Sequence, residues 1–120
     1  VRSGVAGYFD ATAGLKCRKV NWSASNPKRH TLIEELCVII SNHYKEVAPE
    51  VWSYQKSMIN EDFIFKESVF STLTLNYDFR TACHKDSGDL INSLSTLTVL
   101  EEEESNYNGF YTGLLCSNEV

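Results

Sequence analysis

Two side chains in this sequence are spaced so that they could share a metal ion. In the run Phe79-Arg80-Thr81-Ala82-Cys83-His84-Lys85-Asp86-Ser87-Gly88-Asp89, His84 and Asp86 are separated by one residue. In extended backbone, residues i and i+2 point to the same face, so an imidazole and a carboxylate converge there. These are two of the three donors of a 2-His-1-carboxylate triad, which leaves one face of Fe(II) open for co-substrate and oxygen. Arg80 falls on the same nominal face, where it could pair with a carboxylate or brace the strand. A polar loop, with Asp86 and Asp89 capping turns around Gly88, accounts for the same residues equally well. The third ligand must come from elsewhere.

The elements that would position this pair can be read from periodicity. From Val69 to Asp78 the chain is β-like: Leu73, Leu75, Tyr77 and Phe79 alternate with Thr72, Thr74, Asn76 and Asp78. Carrying the alternation forward puts Arg80, Ala82, His84 and Asp86 on the polar face, unless a bulge near Arg80 intervenes. Upstream, Asn26-Pro27 reads as an N-cap followed by Pro at the first helical position. Leu32, Leu36, Ile39 or Ile40, His43 and Val47 then recur at helical spacing, with Ile33, Cys37 and Tyr44 widening the stripe. Pro49 ends that helix near Val47 and opens a second, with Val51, Trp52, Gln55, Met58 and Ile59 on one face, stopping around Asn60. His30 and His43 read as packed, hydrogen-bonded helix residues and not as ligands.

Less definite signals flank this centre. The opening residues 1–16, with Gly4, Gly7 and Gly14 around Tyr8-Phe9-Asp10, read as loop with at most a short strand. Leu15 to Trp22 is a loose strand candidate, and Glu61 to Ser68 a connecting segment of mixed character. Leu94 to Leu100 and Phe110 to Cys116 are further strand candidates. Between them lie the exposed acidic run Glu101 to Glu104 and the Asn108-Gly109 turn signal. Helices first and strands later give an α+β expectation, with the two helices on one face of an antiparallel sheet.

At 120 residues and 42% hydrophobic content, one modest domain is expected over 1–120. Cys17, Cys37, Cys83 and Cys116 form no C-x-x-C pair, so free and mostly buried thiols are expected in place of a zinc ribbon or disulfide scaffold. No apolar run reaches membrane-spanning length, so the expectation is a soluble intracellular protein without a membrane partner. The net charge of −5 gives no overall argument for nucleic-acid binding. Lys16-Cys17-Arg18-Lys19 and Lys28-Arg29-His30 are local basic candidates, read more readily as solvated surface. The chain starts at Val1 and its one methionine is Met58, so a piece of a longer protein is expected.

Several segments together resemble the oxygenase domain of the TET/JBP family, which includes animal 5-methylcytosine dioxygenases and kinetoplastid thymine hydroxylases. They are Arg2-Ser3-Gly4 with Gly7-Tyr8-Phe9-Asp10, the Asn26-Pro27 helix start, and the continuous run from Phe70 through Asn76-Tyr77-Asp78-Phe79-Arg80 to Leu90. Leu94-Ser95-Thr96-Leu97-Thr98-Val99-Leu100-Glu101 and Tyr107-Asn108-Gly109-Phe110-Tyr111-Thr112-Gly113 follow in the family's order.

The resemblance implies a partial double-stranded β-helix (cupin-like jelly roll) using Fe(II) and the co-substrate 2-oxoglutarate. His84 and Asp86 would be the first two iron ligands, and Asp89 would contact the target base. Arg80 matches a family arginine, and Arg2 would approach the 2-oxoglutarate site. The implied reaction consumes 2-oxoglutarate and O2, releases succinate and hydroxylates a methyl group on a flipped-out pyrimidine of methylated or thymine-containing DNA. The location would then be nuclear in a eukaryote, otherwise cytoplasmic or phage-encoded. The family's distal histidine and its 2-oxoglutarate-binding arginine are expected beyond Val120, leaving residues 1–120 inactive alone. Two alternatives are a degenerate, non-catalytic nucleic-acid or protein interaction module, and a 2-oxoglutarate oxygenase with a different substrate.

Overall fold

A computed structural model describes residues 2–9, 13–77 and 90–100. Its order is β1 (Arg2–Phe9), β2 (Arg18–Lys19), α1 (Asn21–Ser25), α2 (Pro27–Val47), α3 (Pro49–Met58), a 3-10 turn at Glu61–Phe63, and β3 (Thr72–Tyr77). The strands form one antiparallel sheet in the order β2-β1-β3. Helices and sheet are therefore joined in an α+β arrangement, as expected from the sequence.

The largest departure is β1. The glycine-rich opening is an eight-residue strand at the centre of the sheet, where a short strand at most was expected. Strand propensity is low at its glycines, but the continuous ladder of Arg2 to Gly7 with β3 outweighs propensity. Gly7 also has a specific task. Its φ is +104°, and an added Cβ would overlap the Ser71 carbonyl and come within 2.8 Å of Phe65 Cζ. There β1 changes partner: Arg2 to Gly7 pair with β3, and Tyr8 and Phe9 pair with β2. The Gly7 N–H donates to Ser23 Oγ (2.9 Å), its carbonyl accepts from Val20 N (2.8 Å), and Tyr8 N donates to Ser71 O (2.8 Å). Only a residue without a side chain fits that crossing.

The two main helices begin where Pro27 and Pro49 place them and end within two residues of expectation. Asn26 does not cap α2 through its side chain; its amide instead donates to Trp22 O at 2.9 Å, tying α1 to α2. The buried face of α2 is also not the main expected stripe. Residues His30, Ile33, Cys37, Ser41 and Tyr44 are buried, whereas Leu32, Ile39 and Val47 are exposed and His43 faces solvent. Ser41 is core because it accepts the Trp52 indole N–H at 2.9 Å, which satisfies both groups and lets α3 approach closely. Gln55 is buried for a similar reason: Tyr44 Oη donates to its Oε1 and its Nε2 donates to Val69 O, both at 3.0 Å. Met58, expected on the packed face of α3, is exposed.

The core is Ala6, Ile33, Cys37 and Phe65, with Trp22, Phe70 and Leu73 packed around it. Phe65 comes from the connecting segment after α3 and is fully buried, which is worth about 1.5–3 kcal/mol. A tight turn delivers it: Phe65 N donates to Phe70 O, Ser68 Oγ donates to Phe65 O, and Glu67 adopts φ 60°. The loose strand candidate at Leu15 to Trp22 reduces to the two-residue β2, and Trp22 belongs to α1. Leu94 to Leu100 is not a strand; Leu94, Leu97, Val99 and Leu100 are exposed and have no ladder partner among the described residues. Alternation supplies a face, but a strand also needs an edge to bond to. Glu101 to Glu104, Asn108-Gly109 and Phe110 to Cys116 lie outside the described residues.

Candidate active site

β3 is the strand that leads into the His-x-Asp run. Its register against β1 pairs Arg2 with Tyr77, Ser3 with Asn76, Gly4 with Leu75, Val5 with Thr74 and Ala6 with Leu73. Directly opposed residues share a face. One face of the ladder therefore carries Ala6, Gly4, Arg2, Leu73, Leu75 and Tyr77, and Leu73 packs into the helix-covered core as expected. Leu75 and Tyr77 share that face but are exposed, because the helices cover only its Ala6 end. The other face carries Ser3, Val5, Thr72, Thr74 and Asn76, and Ser3 Oγ donates to Asn76 Oδ1 at 2.7 Å.

His84, Asp86, Asp89 and Arg80 lie outside the described residues. Arg2 is described: it is exposed, at the end of the β1–β3 ladder beside the last residue of β3. The chain thus has an arginine at the place from which it runs on toward His84. Among the described residues no group of three or more His, Cys, Asp or Glu side chains could hold a metal. An apolar recess of about 200 Å³ opens near this end, lined by Gly4, Val5, Ala6, Trp22 and Leu75. With no charged group in its lining, it offers nothing to hold a dicarboxylate.

A second cluster was not visible in the sequence. His30 is 3% exposed, packed against Phe65 at 5.5 Å between ring centroids and edge-on to Tyr8 at 6.0 Å. Phe63 closes the group, 6.1 Å from Tyr8. His30 is packed as expected, but among the described residues neither ring nitrogen has a hydrogen-bond partner; Glu34 Oε1 stands 3.5 Å from Nε2 without hydrogen-bond geometry. Burial, reinforced by Lys19, lowers its pKa against the opposing pull of Glu34. Burial and Glu34 together raise that of the Tyr8 phenol. Cys37, beneath this cluster, has its thiol pushed up to about 12 by burial first and Glu34 second, so it is an inert core thiol. The only hint in the sequence was the i, i+4 spacing of His30 and Glu34.

The comparisons with known proteins agree with the order of motifs. Residues 4–118 match the family model described as the oxygenase domain of the 2OGFeDO superfamily. The chain is 39% identical over 102 residues to the thymine dioxygenase JBP1-A of Trypanosoma cruzi, covering 82% of this chain and 12% of that protein. It is 38% identical over 106 residues to the thymine dioxygenase JBP1 of Trypanosoma brucei brucei, covering 86% and 13%. It is 34% identical over 116 residues to the bifunctional helicase and thymine dioxygenase JBP2 of Trypanosoma brucei brucei (strain 927/4 GUTat10.1), covering 93% and 10%. The chain therefore spans only about an eighth of the length of the curated relatives it matches. No solved structure matches it.

Proposed function

Because the chain belongs to the TET/JBP family, the oxygenase domain of the 2OGFeDO superfamily, we propose that it forms part of an Fe(II)- and 2-oxoglutarate-dependent centre oxidising the methyl group of thymine in DNA. The observation that carries this reading is the identity, 34–39% across most of the chain, to proteins named thymine dioxygenases. Those names favour thymine over 5-methylcytosine. On this reading residues 1–120 are one unit of a double-stranded β-helix, to which the β2-β1-β3 sheet contributes strands.

The donor chemistry of the His-x-Asp pair fits the metal: a neutral nitrogen and an anionic oxygen at i and i+2 are two arms of a facial triad. His84 holds Fe(II) as the neutral imidazole and Asp86 as the carboxylate. The third ligand, on the family's order of motifs, follows Val120. Fe(II) with 2-oxoglutarate supplies oxygen activation, coupled to oxidative decarboxylation of the co-substrate to succinate. Arg2, exposed at the end of the ladder, pairs with a co-substrate carboxylate, and Arg80 braces the strand or does the same. Asp89 accepts a hydrogen bond from the N3–H of the flipped thymine, which the other pyrimidine, cytosine, lacks.

The geometry sets one requirement. Arg2 shares its face with Tyr77, whereas strict alternation would carry His84 and Asp86 on the face of Thr74 and Asn76. Bringing all three to one site needs a bulge or reversal between Tyr77 and His84.

The test uses the full-length protein that carries this chain, with thymine-containing duplex DNA. Succinate release and 5-hydroxymethyluracil formation, followed by mass spectrometry, should depend on both Fe(II) and 2-oxoglutarate and fall at least about 100-fold in His84→Ala. Turnover that survives this substitution rules out the ligand assignment. Oxidation of 5-methylcytosine in preference to thymine rules out the substrate.

A further inference from the structure

The overall charge of −5 conceals an uneven distribution. Arg2, Lys16, Arg18, Lys19, Lys28 and Arg29 fall within the first 33 residues against the single acid Asp10, and every other acidic residue lies from Glu34 onward. The fold places Arg2 at the far end of β1 and brings the other five to its Tyr8–Phe9 end and the adjoining first turn of α2. β2 is an outer strand of the sheet, and its two residues lie over aromatic rings of β1: the Arg18 guanidinium is 5.3 Å from the Phe9 centroid and Lys19 Nζ is 5.8 Å from that of Tyr8. Tyr8 in turn meets His30, in the first turn of α2, immediately after Lys28 and Arg29. β2 and that first turn therefore adjoin through the Tyr8–His30 contact. Lys16, Arg18, Lys19, Lys28 and Arg29 are all exposed, and from Ala13 to Ile33 the chain carries no carboxylate.

A surface that only confers solubility mixes both signs of charge; single-sign fields are a feature of steering and binding. The charged heads of Arg18 and Lys19 lie over the rings of Phe9 and Tyr8, so less side-chain entropy is lost when they engage a partner. A partner of matching charge density is duplex DNA, which presents one phosphate charge per roughly 1.7 Å of axis. We infer that β2 and the first turn of α2 form a docking surface for the phosphate backbone of duplex DNA. The inference rests on the reading above, because an enzyme that takes a base out of the stack needs the flanking backbone held in register.

The experiment measures binding of the full-length protein that carries this chain to a fluorescently labelled thymine-containing duplex, by anisotropy between about 50 and 200 mM salt. The variant Lys16→Gln/Arg18→Gln/Lys19→Gln should flatten the slope of log affinity against log salt by about 2.7, so that the parent loses roughly 40-fold more affinity over this range. Because Arg18 and Lys19 also pack on rings, Lys28→Gln/Arg29→Gln is the second variant, expected to flatten the slope by about 1.8. Lys45→Gln, in the last turn of α2 and so at the far end of that helix, should leave it unchanged. Unaltered slopes in both basic variants overturn the inference, as does equal flattening in the reference variant. Competition by phosphatidylglycerol vesicles as effective as that by duplex at equal phosphate also overturns it. Succinate release is followed in parallel: turnover with unaltered slopes removes the surface and keeps the oxygenase reading, while flattened slopes without turnover do the reverse.

Discussion

Gly7→Ala is the substitution for which the structure gives the sharpest consequence. The methyl group would be forced into a backbone with φ +104° and into the Ser71 carbonyl oxygen, with Phe65 Cζ 2.8 Å away. The conformational cost for a residue with a side chain is about 1–3 kcal/mol. The clash is against backbone and a fully buried ring, neither of which is a flexible tip, and relieving it costs about 1–3 kcal/mol more. Separation of β1 from the Ser71 end of β3 also loosens the 2.8 Å bond from Tyr8 N. A total loss of about 3 kcal/mol or more is expected, which for a domain of this size lowers Tm by roughly 10–15 °C. Gly4→Ala is the matched control, since Gly4 has nothing within 4 Å of an added Cβ; it should shift stability by less than about 1 kcal/mol. Urea denaturation followed by fluorescence of the two tryptophans, Trp22 and Trp52, reports both changes. If Gly7→Ala is no more destabilising than Gly4→Ala, the reasoning that makes Gly7 the crossing point of the sheet is refuted.

Two further predictions concern buried polar groups. Gln55→Leu keeps the volume but leaves Tyr44 Oη and Val69 O without their 3.0 Å partners, so it should cost about 2–4 kcal/mol in urea titrations; a loss below about 1 kcal/mol would show that water replaces the amide. His30 has a folded pKa below its ordinary value of 6.5, through burial and Lys19, with Glu34 opposing and the raised Tyr8 phenol uncharged beside it. Below pH 6.5 the unfolded chain takes up a proton that the folded chain does not. Stability should therefore fall with decreasing pH, by at most about 1.4 kcal/mol per unit, until the folded pKa is passed. Relative to His30→Gln this slope should appear only in the parent, and identical pH dependence in the two proteins would mean that His30 does not titrate differently on folding.

What could be read in the sequence divides along a physical line. Pro27, Pro49 and the alternation of Thr72 to Tyr77 are local signals, and they placed α2, α3 and β3 closely. Features that depend on distant partners were not legible. β1 is a strand because β2 and β3 flank it, although its glycines argue otherwise. α2 has two apolar stripes, and the one with His30 and Ser41 is buried because Tyr8, Phe65 and Trp52 are there to receive it. Phe65 is the deepest core residue, yet it sits in a segment without periodicity, delivered by a turn. Of the candidate site residues, Arg2 is placed by register, while His84, Asp86, Asp89 and Arg80 stand on the family's order of motifs.

These observations make β1 the element that connects the two ends of the proposed function. Its first residue, Arg2, lies beside the exit of β3 toward the His-x-Asp run, and its last two residues carry the rings that hold Arg18 and Lys19. Gly7 divides these roles, because a strand of unbroken regularity would keep one pair of neighbours along its whole length. The same argument applies in reverse to the chain after Tyr77. If His84 and Asp86 are to meet Arg2 in one site, the alternation that holds through β3 must be interrupted before His84. An insertion of one residue immediately before His84 would then abolish co-substrate turnover by rotating the pair to the other face, while leaving the Gly7 crossing and the basic edge at β2 intact.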